Sequence, residues 1–300
     1  MTRAIPLSAS KPLSADLRPE YELQLEPMDG RRLPEGGATL PLVRRILENG
    51  LARKLLILAA LIAAWAGLAA VQNNALLLPG PLDTLLALYG DLSGGELGRR
   101  IYVSLSVLLR AYLLGVLLAL VLTSLAISSR IGRDLLALLT SMFNPLPAIA
   151  LLPLALLWFG LGQVSLIFVI IHSVLWALAL NTYSGFLAVP ATLRMTGRNY
   201  GLRGPRYVAL VLVPAALPSI LAGLRIGWAF AWRTLIAAEL VFGTSSGQGG
   251  LGWYIYQNRN ELYTDRVFAG LITVVLIGLL VENGIFDILE RYTTRRWGMA

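Results

Sequence analysis

Arg110, His172, Asn181, Arg225, Arg233 and Glu239 each stand inside a long apolar run of the sequence. A charge left unpaired at the centre of a hydrocarbon layer costs about 2.5–3.5 kcal/mol or more. Such side chains persist where they pair, line a wet cavity or meet a solute. Arg225, Trp232 and Glu239 recur every seven residues, so they share one helix face. Trp228 follows one turn after Arg225, and Arg233 lies about 100° round from Trp232. A stripe of this kind faces a bundle interior or a pore, and with Arg110 its arginines form a path that favours anions. The competing reading is an internal salt bridge that fixes helix packing. For Glu239, near the end of its run, that is the simpler account.

Other chemistries are limited by residue type. His172 is the only histidine and has no metal-ligand type nearby, so it reads as a packed or cavity-lining imidazole and no metal site is expected. Asn181-Thr182 is a polar pair able to hydrogen-bond across helices. There is no cysteine, which excludes a disulfide frame and a catalytic thiol. Lys11 and Lys54 are the only lysines and no G-x4-G-K-[ST] occurs, so any ATP hydrolysis belongs to another chain. Residues 247–252 spell G-x-G-x-x-G, but that motif means dinucleotide binding only between a strand and a helix. Here it follows an apolar helix.

The elements that position these residues are membrane spans. Of the 300 residues 56% are hydrophobic and only 14% charged, with a mean hydropathy of +0.68, against roughly 25% charged in soluble domains. The net charge of +8 does not mark a nucleic-acid partner, because Lys and Arg fall between the apolar runs. Residues 1–50 form a proline-rich, mixed-charge tail, expected to be largely disordered and not a signal peptide. Apolar segments then predict spans at about 55–71, 101–127, 135–159, 164–187, 215–242 and 267–285, with 51–290 as the membrane domain and 291–300 a basic tail.

Two of those spans come from one stretch. Between Leu135 and Leu193 there is no Asp, Glu, Lys or Arg, a length that as helix covers far more than the roughly 30 Å of a bilayer core. A turn is expected at Gly160-Leu161-Gly162-Gln163, and Asn144-Pro145-Leu146-Pro147 is expected to break or kink the span before it. Residues 78–100 hold a brief amphipathic stretch that suits an interfacial helix. Six spans put both termini on one side. That side carries nine Lys and Arg in residues 1–54, two at 130–133, four at 194–206 and three at 291–296, or 18 of 25. The positive-inside rule places it in the cytoplasm.

The segment from Arg194 to Gly227 organises the rest. A basic, glycine-punctuated loop with Arg194, Arg198, Arg203 and Arg206 leads into an apolar helix entered through Pro214 and Pro218. Gly201, nine residues, Val211, one residue and then Val213-Pro214 resembles the G-x9-I-x-L-P pattern of binding-protein-dependent ABC importer permeases. AALPSILAGLRIG, AAEL and GLGWYI are similar, more narrowly, to their nitrate/sulfonate/taurine branch. The alternative is an ordinary basic loop. The resemblance, over about residues 75–290, implies an all-α type I importer permease with six spans and a cytoplasmic coupling helix between spans four and five. Met195, Thr196, Gly197, Arg198, Gly201, Arg203 and Pro214 would belong to that coupling loop, with Gly201 making a sharp turn where a Cβ would clash. Gly249, Gly250 and Gly252 would give flexible backbone at an outer gate.

The resemblance further implies two ATPase subunits holding ATP and Mg, a second permease subunit and an extracytoplasmic binding protein. It places the chain in a bacterial inner membrane, importing a small anion such as nitrate, a sulfonate, taurine or bicarbonate. The translocation-path candidates are Arg110, His172, Asn181, Arg225, Trp228, Trp232, Arg233 and Glu239, and this chain itself binds no cofactor. It departs from the family where Glu-Ala-Ala is usual and Met195-Thr196-Gly197 stands; a helix-interior glycine there costs about 1 kcal/mol against alanine. An ion-coupled secondary transporter and a membrane-embedded enzyme are the other classes. No inverted repeat favours the first, and one histidine does not build the second.

Overall fold

The computed structural model describes residues 49–242 and 249–296. The expectations for the tail up to residue 48, for Gly247-Gln248 and for the last four residues lie outside them. The chain divides into two units, Met1–Ala59 and Ala60–Ala300, and residues 49–59 are the described part of the first. Among the described residues all regular structure is helical.

Helix α1 (Gly50–Gln72) has 23 residues and buries none of them. It starts earlier than the expected 55–71, taking in Arg53 and Lys54, and so reaches about 35 Å, enough to span hydrocarbon. Trp65 Nε1 donates to Pro79 O at 3.1 Å, just ahead of α2 (Pro81–Ser93), where proline occupies the first turn and Asp83 accepts from the Gly80 amide. Helix α3 (Glu96–Ser128) follows, then α4 (Arg130–Phe143), capped by Ser129 Oγ accepting from Gly132 N at 2.9 Å.

The third apolar run breaks at residues 144–147, where a break or kink was expected. It forms α4, a 3₁₀ turn at Ala148–Leu151 and α5 (Leu152–Phe159), with an 87° bend between the two halves. Pro145 and Pro147 each lack an N–H, and Pro147 drives Leu146 out of the helical region, so two successive ladder bonds are lost. Helix α5 ends at Gly160, at φ +73°, and α6 (Gln163–Ala188) begins after that turn.

Val189 takes the extended conformation that precedes proline, and α7 (Ala191–Asn199) starts at Pro190. Helix α8 (Gly204–Ala215) widens into a π turn at Val208–Leu212, just before Pro214, which has no donor for a regular ladder. Helix α9 (Leu217–Phe242), α10 (Leu251–Asn260) and α11 (Thr264–Arg295) complete the described chain. Among the described residues five helices, α1, α3, α6, α9 and α11, are long and apolar enough to cross a membrane, and the bent pair gives a sixth crossing when taken as one span.

Helix α6 lies between α3 and α9 and has its most extensive contacts with them. A core of Leu108, Tyr112, Ile170, Val174, Leu235 and Tyr254 joins these helices to α10. Leu68, Leu117 and Leu276 are instead exposed on the outside, as hydrocarbon solvent permits. Lipid offers no hydrophobic drive between helices, so close packing must supply the attraction. A Cβ on Gly223 would stand 2.8 Å from Asn181 Cβ and 3.4 Å from Leu178 Cα, while one on Gly227 would meet Val174 Cγ1 at an ordinary 3.4 Å.

Gly223→Val is therefore expected to lower the melting midpoint of the detergent-solubilised chain, an overpacking cost of roughly 1–3 kcal/mol. Gly227→Ala should leave it unchanged or raise it. Tryptophan-fluorescence melts decide, and equal losses from both would show that α6 and α9 do not approach this closely.

Candidate functional site

The loop between α6 and α9 is built on its own backbone. Arg194 donates from Nε and Nη2 to the carbonyls of Val189, Phe186 and Leu187, closing the open end of α6. At the far end of α7 the amide of Leu202 donates to Gly197 O at 3.1 Å and that of Gly201 to Arg198 O at 2.9 Å. With Gly201 at φ +74°, this is a Schellman cap. A Cβ on Gly201 would meet nothing within 4 Å, so the expected clash is absent. Glycine is required there by its left-handed backbone.

Gly197 has the opposite reason to be glycine. It is buried, and a Cβ on it would stand 2.9 Å from Val211 Cγ2 and 3.1 Å from Tyr207 Cε2. The missing methyl lets α8 lie against α7, which offsets the helix-propensity cost expected from sequence. Met195, Thr196, Arg198 and Arg203 are exposed, as are Leu193 and Tyr200, so α7 and the turn after it present both apolar side chains and arginines at the surface. Pro214 is half-buried within α8.

The α9 stripe is divided among three neighbourhoods. Arg225 Nη2 donates to Asp287 Oδ1 at 2.8 Å and lies 3.5 Å from Glu290 Oε2, with its guanidinium over the Phe286 ring. The salt-bridge reading describes it within this chain. A cavity of about 370 Å³ opens beside it, lined by Pro218, Leu221 and Glu290. Trp232 is buried and donates to Val274 O at 3.3 Å, joining α9 to α11. Trp228 packs edge-on against Tyr112, whose hydroxyl donates to Leu224 O at 2.8 Å.

Arg233 is exposed, donates from Nε only to its own helix at Ala229 O, and has no carboxylate partner among the described residues. It lines one cavity with His172 and a second with Arg225, Trp228 and Trp232. His172 packs edge-on to Phe143 and Trp176. Among the described residues no cluster of His, Asp and Glu could hold a metal. Asn181 donates to Ala177 O on its own helix and packs against Gly223; Thr182 Oγ1 has no partner, so this pair makes no cross-helix bond. Arg110 is exposed and reaches only Gln163 Oε1, at 3.5 Å.

Glu239 lies near the C-terminal end of α9. Its carboxylate is 2% exposed and accepts from Ser104 Oγ at 2.8 Å and from the Gly252 amide at 2.8 Å. The Leu251 amide donates in turn to Ser104 Oγ at 2.7 Å, and Arg100 Nη1 to Gly249 O at 3.0 Å. A carboxylate at the start of α10 also suits the positive end of that helix. The expectation of flexible backbone at Gly249, Gly250 and Gly252 is corrected here. A Cβ on Gly250 would fall 2.2 Å from both Glu239 Oε1 and Ser104 Oγ, and one on Gly252 2.7 Å from Ile236 O. These glycines are tightly packed over the carboxylate, because only a bare backbone fits there. Nearby, Tyr254 donates to Asp91, which also holds Arg266 at 3.5 Å. Burial, then Asp91, pushes the Tyr254 phenol above its ordinary range.

Ser104, Arg100, Asp287, Glu290 and Trp176 were not singled out from sequence. Signals existed for some: Ser104 follows Arg100 by four, Trp176 follows His172 by four, and Asp287 and Glu290 share one helix turn just before a segment that reads as basic.

Gly250→Ala is expected to destabilise at least as much as Glu239→Ala, which strands the Gly252 amide and a hydroxyl at about 1–3 kcal/mol each. A thermally unchanged Gly250→Ala would contradict this packing. In a double-mutant cycle, Arg225→Ala with Asp287→Ala should cost less than the two single changes added, by roughly 0.5–3 kcal/mol. Strict additivity would remove the salt bridge.

The family model described as the binding-protein-dependent transport system inner membrane component matches residues 111–297. A probable ABC transporter permease of Brucella melitensis is 36% identical over 78% of this chain and 93% of its own length. A putative aliphatic sulfonates transport permease of Bacillus subtilis is 34% identical over 81% and 86%. The taurine transport system permease of Escherichia coli is 31% identical over 79% and 86%. An all-helical, multi-pass chain with this loop between two of its spans thus belongs to the binding-protein-dependent transport system inner membrane component family, the permeases of ABC importers.

Proposed function

We propose that this permease carries a small oxyanion, an organic sulfonate or a similar acid, inward through a pore it shares with a second permease subunit. The observation that carries the reading is α7. It is a short helix held between two spans, rigidly tied to α6 by Arg194 and ended by the Gly201 cap, with Leu193, Met195 and Tyr200 exposed around it. A soluble partner that grips such a helix moves both attached spans as bodies. The partner is an ATPase subunit, which holds ATP and Mg; the permease chain itself is not an enzyme.

The face of α7 has Met195 where the family pattern has a glutamate, so its docking rests on apolar contact with Arg198 and Arg203 at the rim. The basic loops put α7 and both termini in the cytoplasm. A binding protein delivers substrate at the opposite side, near α10 and its glycine turn. Relatives named for aliphatic sulfonates and for taurine, together with Arg110 and Arg233 in otherwise apolar helices, support an anionic substrate. The ion-coupled alternative finds no carrier here. Glu239, the one buried carboxylate among the described residues, is already held by Ser104 and the Gly252 amide.

Gly201→Val forces a β-branched residue into left-handed backbone, a cost of roughly 1–2 kcal/mol or more, and breaks the cap of α7. In proteoliposomes containing the ATPase and binding protein, uptake and substrate-stimulated ATP hydrolysis are expected to fall together while the spans stay assembled. Full uptake by this variant would remove α7 from the coupling path. Cysteine introduced at Arg203 should label with an impermeant reagent only after the inner membrane is opened, against the cysteine-free background of the native chain; labelling in intact spheroplasts would invert the orientation.

A further inference from the structure

Six buried side-chain polar atoms among the described residues lack a hydrogen-bond partner, and four of them lie on His172, Trp176 and Trp228. An unpaired buried donor costs about 1–3 kcal/mol, so their grouping calls for a cause. All three residues line one or other of two cavities, of about 280 and 130 Å³, and Arg233 lines both. The larger is walled by His172 and Trp176 of α6, by Asn144 and Pro147 at the right-angle break, and by Phe230. Trp176 is 8% exposed, stacked on Phe143 at 5.5 Å, and its indole N–H finds no acceptor.

The charge in this place is one-sided. Arg233 holds its guanidinium over the Phe230 ring, 5.4 Å from the centroid, with Nε on Ala229 O. No carboxylate lines the larger cavity; Glu282 lines only the smaller one. The polar lining is therefore a guanidinium, an indole N–H, an imidazole and the neutral side chains of Asn144, Ser173 and Thr234, and the walls are partly aromatic. That set suits the flat or tetrahedral oxygens of an anion, which guanidinium meets with two parallel hydrogen bonds. An ammonium group would find neutral oxygens there on Asn144, Ser173 and Thr234 but no carboxylate, and the one charge lining the cavity, Arg233, repels it. At about 280 Å³ the space lies at the small end of ligand pockets.

We infer that the cavity around Arg233, His172 and Trp176 is an anion-binding site within the membrane, and that it prefers a plain oxyanion or alkanesulfonate to a zwitterionic aminosulfonate. Arg233 takes the headgroup, Trp176 and His172 add donors, and Phe230 and Pro147 receive the apolar remainder. The right-angle break after Phe143 is part of the site, because it brings Asn144 and Pro147 to its wall. This deepens the importer reading and rests on it for the solute's route, but binding itself can be measured apart from transport.

Iodide, an anion that quenches indole fluorescence on contact, is the probe. The full chain co-purified with its ATPase in lipid nanodiscs should show a saturable quenching component above the collisional one. Arg233→Gln should weaken it at least about tenfold, as loss of a charged hydrogen-bonding partner does, and Arg233→Lys should keep part of it. Ethanesulfonate and nitrate should compete; taurine at equal concentration should not. In the uptake assay Trp176→Phe, which keeps the ring stack and removes the N–H, should raise the half-saturating ethanesulfonate concentration severalfold with ATPase activity intact. An absent saturable component, or one equally strong in Arg233→Gln, overturns the site. Equal competition by taurine overturns its preference for plain anions. Saturable iodide binding through Arg233 in a complex that imports none of these solutes would uphold the site and count against the importer reading.

Discussion

The close crossing of α6 and α9 is the constraint on which the remaining structure depends. In hydrocarbon, apolar side chains gain little by leaving one another's company, so helices associate where small residues let backbones come near enough for dense van der Waals contact. Gly223 against Asn181 and Leu178, and Gly185 against Ser219, provide such a seam. The same two helices carry His172, Trp176 and Asn181 on one side and Arg225, Trp228, Trp232, Arg233 and Glu239 on the other. They also hold the two ends of the basic loop. Loosening the seam by even a methyl group disturbs the cavity walls and the loop anchors together.

Glycine serves this chain in two physically distinct ways, and sequence alone does not tell them apart. Gly201 is required by its backbone angle, with open space where a side chain would point. Gly197, Gly250 and Gly252 are required by space, in ordinary backbone, because an aromatic ring, a carboxylate or a carbonyl occupies the place of a Cβ. Both kinds read as G in a loop. The first is legible where a spacing pattern and a helix end coincide; the second depends on partners up to about 150 positions away, such as Ser104 for Gly250.

Much of the helical plan was legible for simple reasons. A run with no charge between Leu135 and Leu193 is too long for one crossing, and the glycine pair at Gly160 and Gly162 is the best place to divide it. Pro145 and Pro147 marked the break in the preceding run, but its 87° depth did not follow, since that depends on which neighbours receive the freed carbonyls. Arg225 shows the limit at a site. Its carboxylates, Asp287 and Glu290, lie some 60 residues further on and just ahead of a basic segment, so pairing became visible only when α11 docked on α9. Arg233 on the same helix looks equivalent in sequence and has no such partner among the described residues.

The two ends of α7 differ in stiffness. At its start, Arg194 ties the helix to three carbonyls at the end of α6 across a short Val189-Pro190 joint. At its finish, Gly201 and Gly204, the first residue of α8, both adopt left-handed angles, and α8 itself widens into a π turn. A displacement of α7 is thus handed to α6 as by a welded crank, and to α9 as through a slack hinge. The seam between α6 and α9 would then be sheared along its length instead of translated whole, with the helix bearing His172 and Trp176 moving first.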